Sequence, residues 1–180
     1  MNENGTNSTV RWEVLPGLPG SGPSPFHFHL GHPSPWTEGF VVRFWKADGN
    51  EWVGNFQGKA GLEHKSFALA GGNSVVVLAM DNFYLVDANI PGNYVTIDSQ
   101  WLVDDVMLDD ERKMLFVAAS TSIFAFGRDR GRLWTQDRLG GFDAQLTECA
   151  DGVLRVEVEE ELGGARKTVQ LSAKDGAILP

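Results

Sequence analysis

A repeat with a period of 40 to 45 residues limits the folds open to this chain more than any other feature of its sequence. Four segments share one pattern: an apolar run, a turn containing glycine, and a second run with an aromatic or aliphatic residue. The segments begin at Phe40, Phe83, Ile123 and Thr168, at offsets of 43, 40 and 45 residues. Repeats of this length are typical of arrays of equal structural units, so we expect four such units.

Each repeat has room for four strands. Two strand-like runs, rich in β-branched and aromatic residues and separated by Gly, Asn or Asp, precede the second, third and fourth hairpins. TVRWEVLPG, from Thr9, and FHFHL, from Phe26, supply the same pair for the first hairpin. No segment shows helical periodicity over three turns. The sequence therefore predicts an all-β fold of four four-stranded antiparallel blades, sixteen strands in total, which is a small β-propeller.

The domain organisation and ring closure follow from this count. Residues 1–8 are polar and are expected to form a mobile N-terminal tail, and residues 9–180 are expected to form a single propeller-like domain. An open stack of blades would expose apolar faces. We therefore expect one chain to close a four-bladed ring as a monomer. The alternative is a homodimer in which each chain forms half of an eight-bladed ring.

Two resemblances support this interpretation. The units over most of residues 40–180 resemble the repeats of quinoprotein and WD40-like β-propellers, and AKDGAIL at 173–179 is similar to the hairpin turn of quinoprotein repeats. The Gly-His and Trp-Asp marks of WD40 repeats are absent, so the resemblance implies no scaffold partner. The block TEGFVVRFWKADGNEWVGNFQ resembles small stand-alone bacterial proteins of unassigned function, which implies a bacterial cytoplasmic protein and no particular chemistry.

Charge and composition restrict the classes of molecule that this protein is expected to bind. The net charge of −9 argues against nucleic acid or an anionic membrane surface as a partner and favours a basic protein partner. The N-terminus lacks the pattern of a secretion signal, and no apolar stretch approaches the roughly 18 residues of a membrane span. The single cysteine, Cys149, is compatible with a reducing compartment. These features together predict a cytoplasmic location.

The segment PFHFHLGHPSP, residues 25–35, contains three of the four histidines of the chain: His27, His29 and His32. In a strand, His27 and His29 point to the same face, and His32 can return to them from the following turn. Three imidazole nitrogens suit Zn²⁺ or another divalent ion. The segment is therefore a candidate metal site.

The same segment is also a candidate contact surface for a protein partner. Prolines at 23, 25, 33 and 35 restrict its backbone, which lowers the entropy cost of presenting a fixed surface. The aromatic and histidine side chains then supply interface anchors. The expected partner-binding residues are Phe28, His29, His32 and Trp36.

No catalytic motif accompanies these features. The chain contains neither a G-x-S-x-G nucleophile turn nor a phosphate-binding loop, and its acidic clusters lie in or beside turns. The sequence therefore favours a non-catalytic protein-binding module that needs no cofactor. A specific version of this function is a toxin-neutralising, immunity-type bacterial protein. The alternative is a metal-dependent enzyme or ligand-binding protein that uses the histidine segment.

Overall fold

The computed structural model of the chain describes residues 4–7, 10–29, 38–58, 64–68, 73–79, 82–97, 103–161 and 163–180. These residues form sixteen β-strands and no helix. Accordingly, the described part of the chain has no helix with the length and apolar character needed to cross a membrane. The chain separates into two compact units, residues 1–100 and 101–180, and each unit contains two sheets.

The first unit contains nine strands in two sheets. The five strands of sheet I, in the spatial order β1-β2-β4-β5-β3, are β1 (Asn4–Asn7), β2 (Val10–Leu15), β3 (Phe26–Phe28), β4 (Phe40–Trp45) and β5 (Glu51–Phe56). The four strands of sheet II, in chain order, are β6 (His64–Ala68), β7 (Ser74–Ala79), β8 (Asn82–Asp87) and β9 (Tyr94–Thr96).

The second unit contains seven strands in two sheets. Sheet III consists, in chain order, of β10 (Val103–Asp109), β11 (Met114–Ala119), β12 (Ser122–Phe126) and β13 (Arg132–Gln136). Sheet IV consists, in chain order, of β14 (Phe142–Ala150), β15 (Val153–Glu159) and β16 (Arg166–Ser172).

One apolar cluster joins the two sheets of each unit. Alternate residues of β4 and β5, such as Phe44 and Trp52, point from sheet I into the first cluster, where Tyr84 of sheet II meets them. Phe116 and Trp134 of sheet III pack with Leu154 of sheet IV in the second cluster. Full burial of one such side chain contributes about 1.5–3 kcal/mol, so these clusters hold the paired sheets together.

The structure corrects the prediction for the first repeat. β3 does not precede β4 as an antiparallel neighbour but pairs in parallel with β5, with Phe28 opposite Phe56. The reason is that both edges of β2 are occupied, one by β1 and the other by β4. β1 lies within the segment predicted to be a mobile tail, and its residue Asn4 pairs with Glu13.

The fourth repeat also departs from the prediction. Sheet IV has three strands instead of four, and after β16 the position of a fourth strand holds a single antiparallel bridge between Leu171 and Ile178. The predicted glycine turns nevertheless occupy corresponding places. Those turns join β4 to β5, β8 to β9 and β12 to β13, and the last follows β16. The all-β, blade-like prediction is thus confirmed at the level of sheets, while none of the four sheets closes on itself.

Candidate functional site

The histidine segment begins on β3, at the edge of sheet I. His27 lies within the strand, and His29 follows it directly; both side chains are partly buried. His32 and Trp36 lie outside the residues that the structure describes, so their predicted roles stay predictions. The described part of the segment therefore defines the candidate site.

Phe28 is a core residue and not a surface-contact residue. Its side chain is completely buried in the apolar cluster of the first unit. Its ring stacks on Phe56 with centroids 4.2 Å apart and meets the edge of Tyr84 at 5.9 Å. The prediction that Phe28 contacts a partner is corrected here, because a large apolar ring gains more from burial between two sheets than from exposure.

Two exposed aromatic rings lie against Phe28. The Phe26 ring centroid is 4.8 Å from that of Phe28, and the Tyr94 ring of β9 is 5.0 Å away in an edge-on arrangement. Phe26 is 38% exposed and Tyr94 is 36% exposed. We call Phe26, His27, His29 and Tyr94 the β3 surface. The proximity of Tyr94 to β3 depends on the packing of sheets I and II, so no local sequence pattern could have shown it.

His27 is held in a defined orientation by Asn55, a completely buried residue of β5. The Asn55 side-chain oxygen accepts a hydrogen bond from the Gly39 amide at 2.7 Å, and this contact turns Asn55 Nδ2 toward His27 Nδ1, 3.2 Å away. An amide nitrogen only donates, so His27 Nδ1 accepts and the ring proton resides on Nε2. A metal at Nε2 would require the proton to move to Nδ1, where it would face a donor.

The hydrogen bond between Asn55 and His27 affects the predicted metal site. The described residues contain no group of three or more His, Cys, Asp or Glu side chains that could hold an ion. His32 lies outside those residues, so the three-histidine site is untested. In the described part, the Asn55 contact orients His27 for hydrogen bonding and against coordination through Nε2.

A polar anchor holds the chain where β3 and β5 end. The Gln57 amide donates to the Phe28 carbonyl at 2.9 Å. The Gln57 carbonyl accepts from the Tyr84 hydroxyl at 2.5 Å and from Asn82 Nδ2 at 3.2 Å. Burial raises the pKa of Tyr84 to about 12, so its hydroxyl stays protonated and continues to donate at neutral pH. The β3 surface therefore rests on a fixed backbone.

In the second unit, Asp104 and Asp105 of β10 in sheet III make hydrogen bonds to β14 of sheet IV. Asp105 accepts a hydrogen bond from the Leu146 amide of β14 at 2.9 Å. Asp104 accepts from the backbone amides of Ser120 and Ala144. Asp104 is exposed when the whole residue is considered, but protein surrounds part of its carboxyl group. Burial of that group, together with the nearby Asp143, raises the pKa of Asp104 to about 6. These contacts position β14 beside sheet III.

The single thiol, that of Cys149, is held in its protonated form by its surroundings. Cys149 Sγ lies 3.3 Å from an Asp109 carboxylate oxygen, which accepts its proton in a hydrogen bond. Burial, reinforced by Asp109, raises the pKa of the Cys149 thiol to about 11. Because the thiolate is the reactive form, burial and Asp109 lower the nucleophilic reactivity of Cys149.

Comparisons with known proteins support the fold and leave the function open. No protein-family model matches the chain, and no curated protein matches it significantly. Among solved structures, the chain is similar to "Dihydro-heme d1 dehydrogenase NirN in complex with DHE", with a TM-score of 0.52 and 17% sequence identity over 78% of this chain. The chain spans 32% of the length of that protein. This likeness shows a β-propeller-like all-β fold and nothing about activity.

Proposed function

We propose that this protein is a non-catalytic, cytoplasmic protein-binding module that contacts its partner through the β3 surface. The observation that supports the proposal is the pair of exposed rings, Phe26 and Tyr94, packed against the buried Phe28. Aromatic side chains with a rigid support are typical anchors of protein interfaces, because little conformational entropy is lost when they bind. His29 belongs to this surface, and by prediction His32 and Trp36 extend it.

The charge of the chain indicates the character of the partner. A net charge of −9 attracts a basic protein and accelerates its association, while the aromatic anchors supply the short-range contacts. The specific version of the proposal is a toxin-neutralising, immunity-type protein. Such a role requires a stable blocking surface and no catalysis.

The test compares two variants of the full-length protein. Phe26→Ala combined with Tyr94→Ala removes the anchors, whereas Leu133→Ala removes an exposed apolar side chain of the second unit and serves as the control; Leu133 is 53% exposed. Chemical crosslinking with mass spectrometry should show a basic protein bound to the wild type and to the control but not to the double variant. Equal capture by all three proteins would contradict the proposal, provided circular dichroism shows that each is folded.

The alternative function is a metal site formed by His27, His29 and His32. It is supported by the position of His27 within β3, at one edge of sheet I, and of His29 directly after that strand. Elemental analysis of protein purified without a histidine tag tests it. Stoichiometric metal that disappears when all three histidines are changed to Gln would replace the binding-module proposal, whereas we expect no stoichiometric metal.

The proposed assembly is a four-bladed ring closed within one chain. It is supported by the presence of four blade-like sheets in the described residues. The alternative is a homodimer that completes an eight-bladed ring. Light scattering at micromolar concentration distinguishes them, and the mass of a single chain is the expected result.

A further inference from the structure

His27 lies on the edge strand of sheet I and points to the opposite side of that strand from Phe28. Side chains alternate along a strand, so Phe28 points into the apolar cluster while His27 points away from it. Within the described residues, β3 has β5 as its single neighbour, so a partner that approaches the open edge meets both sides of β3. The β3 surface therefore has an aromatic side and an imidazole side.

A directional series of hydrogen bonds leads from the backbone to His27. The Gly39 amide can only donate, and it donates to Asn55 Oδ1 at 2.7 Å. The side-chain amide of Asn55 therefore cannot turn over without placing its NH2 group against another donor. Asn55 is completely buried, and its Nδ2 faces His27 Nδ1 at 3.2 Å. His27 Nδ1 is thus held as an acceptor, and the ring proton is held on Nε2.

The Nε2–H group of His27 is open to a binding partner. In the part of the chain that the structure describes, the His27 ring makes its hydrogen bond to Asn55 through Nδ1 and makes no other. In that same part, no buried polar atom without a partner belongs to His27, so its Nε2 is accessible from outside the protein. His27 therefore presents a fixed and accessible hydrogen-bond donor at the edge of sheet I.

We propose that His27 recognises a carbonyl oxygen of the partner protein, to which its Nε2–H group donates a hydrogen bond. This inference rests on the proposed function, since it assigns a role to one residue of the β3 surface. The acceptor is a neutral carbonyl, because a net charge of −9 disfavours a carboxylate on the partner. Asn55 fixes the imidazole before binding, so little conformational entropy is lost when the bond forms. His27 thus selects for an acceptor oxygen, whereas Phe26 and Tyr94 supply apolar contact.

The first measurement is the tautomer of His27, by NMR of protein with isotope-labelled histidine nitrogens at about pH 8, above the ordinary histidine pKa of about 6.5. His27→Gln identifies the His27 signals by their loss. We expect Nε2 to carry the proton and Nδ1 to carry a lone pair. The Phe26→Ala, Tyr94→Ala variant should keep this tautomer, because neither ring takes part in the hydrogen bond to Asn55. A proton on Nδ1 overturns the proposal and leaves the β3 surface proposal standing.

The second measurement is the affinity, by titration calorimetry, of two folded His27 variants for the purified basic protein that crosslinking identifies. His27→Asn keeps an acceptor at the Nδ1 position but loses the outward donor, so it should bind about twofold to tenfold more weakly than the wild type. His27→Gln keeps a donor at the Nε2 position and should bind more tightly than His27→Asn. Equal affinity of the wild type and His27→Asn, or no advantage of His27→Gln, overturns the proposal. If crosslinking identifies no protein, the proposed function fails and this inference fails with it, whichever tautomer is found.

Discussion

The indole Nε1 of Trp134 donates a hydrogen bond to the carbonyl oxygen of Ala173 at a distance of 3.0 Å, which joins β13 of sheet III to the chain directly after β16 of sheet IV. In the first unit, the indole Nε1 of Trp52, on β5, donates in the same way to the carbonyl oxygen of Ala88 at 2.6 Å. Ala88 lies directly after β8. The amides of both alanines also donate to the residue that precedes the second strand of their sheet, Asn73 or Gly152. The two units are therefore built on one plan.

Loss of this indole contact is expected to destabilise the protein. Trp134→Phe keeps an aromatic ring but leaves the buried Ala173 carbonyl without its donor, which costs about 1–3 kcal/mol of unfolding free energy. Trp52→Phe should have an effect of the same size. Urea denaturation followed by circular dichroism measures both. The control is Trp45→Phe, which removes a half-buried indole beside Arg11 and should cost about 0.5–1 kcal/mol. A Trp134→Phe cost no larger than that of the control would contradict the proposed role.

Gly176 is expected to tolerate no side chain. Its φ is +75°, and a Cβ there would lie 2.6 Å from Cε3 of the Trp134 ring. Gly49 occupies the corresponding turn of the first repeat with a φ of +84° and no atom within 4 Å. Gly49→Ala should cost about 1–2 kcal/mol from backbone strain alone. Gly176→Ala should cost clearly more, because packing against Trp134 is added. Thermal unfolding of the two variants gives the comparison, and equal losses would show that the ring can move aside freely.

Asp104 should make stability depend on pH. Its pKa is raised from 3.8 to about 6 by burial first and by Asp143 second, so the folded state holds the proton more tightly than the unfolded state. The stabilisation that this provides is complete below about pH 4 and is lost as the pH rises through about 6. Asp104→Asn cannot titrate, so the stability of the wild type relative to the variant should fall over this window.

The measurement is urea denaturation of both proteins at several pH values between about 4 and 7. Asp110→Asn, on the exposed turn after β10, removes the same charge and is the matched control; an effect as large as that of Asp104→Asn would indicate a general charge effect. A stability difference between the wild type and Asp104→Asn that is constant across the range would refute the assignment.

Cys149 is expected to react slowly with alkylating reagents. Burial first and Asp109 second raise its pKa from 9.0 to about 11, so at pH 8 the thiolate fraction is at least about tenfold smaller than that of a free thiol. Iodoacetamide should modify the native protein correspondingly more slowly than the urea-unfolded chain. Asp109→Asn should accelerate the native reaction, because it removes the carboxylate that accepts the thiol proton. Equal alkylation rates for the folded and unfolded protein would show that folding does not raise the pKa of the Cys149 thiol.

The candidate site was only partly predictable. The alternation in FHFHL identified a strand, and β3 covers Phe26–Phe28. It did not show that Phe28 is buried while Phe26 is exposed, because both share a face by alternation. That difference comes from Phe56 and Tyr84, which surround Phe28 from other strands. The orientation of His27 likewise depends on Asn55, which is distant in sequence.

The sequence by itself determined the all-β class, the period of the repeats and the places of the glycine turns, because alternation, strand propensity and turn chemistry act over a few residues. Only the tertiary structure decided which strands are neighbours. β3 pairs in parallel with β5, β1 completes sheet I, and sheet IV ends in a single bridge at Ile178. Strand pairing is a competition among distant edges, in which the available backbone groups and the burial of rings such as Phe28 select the partner. No local pattern contains that information.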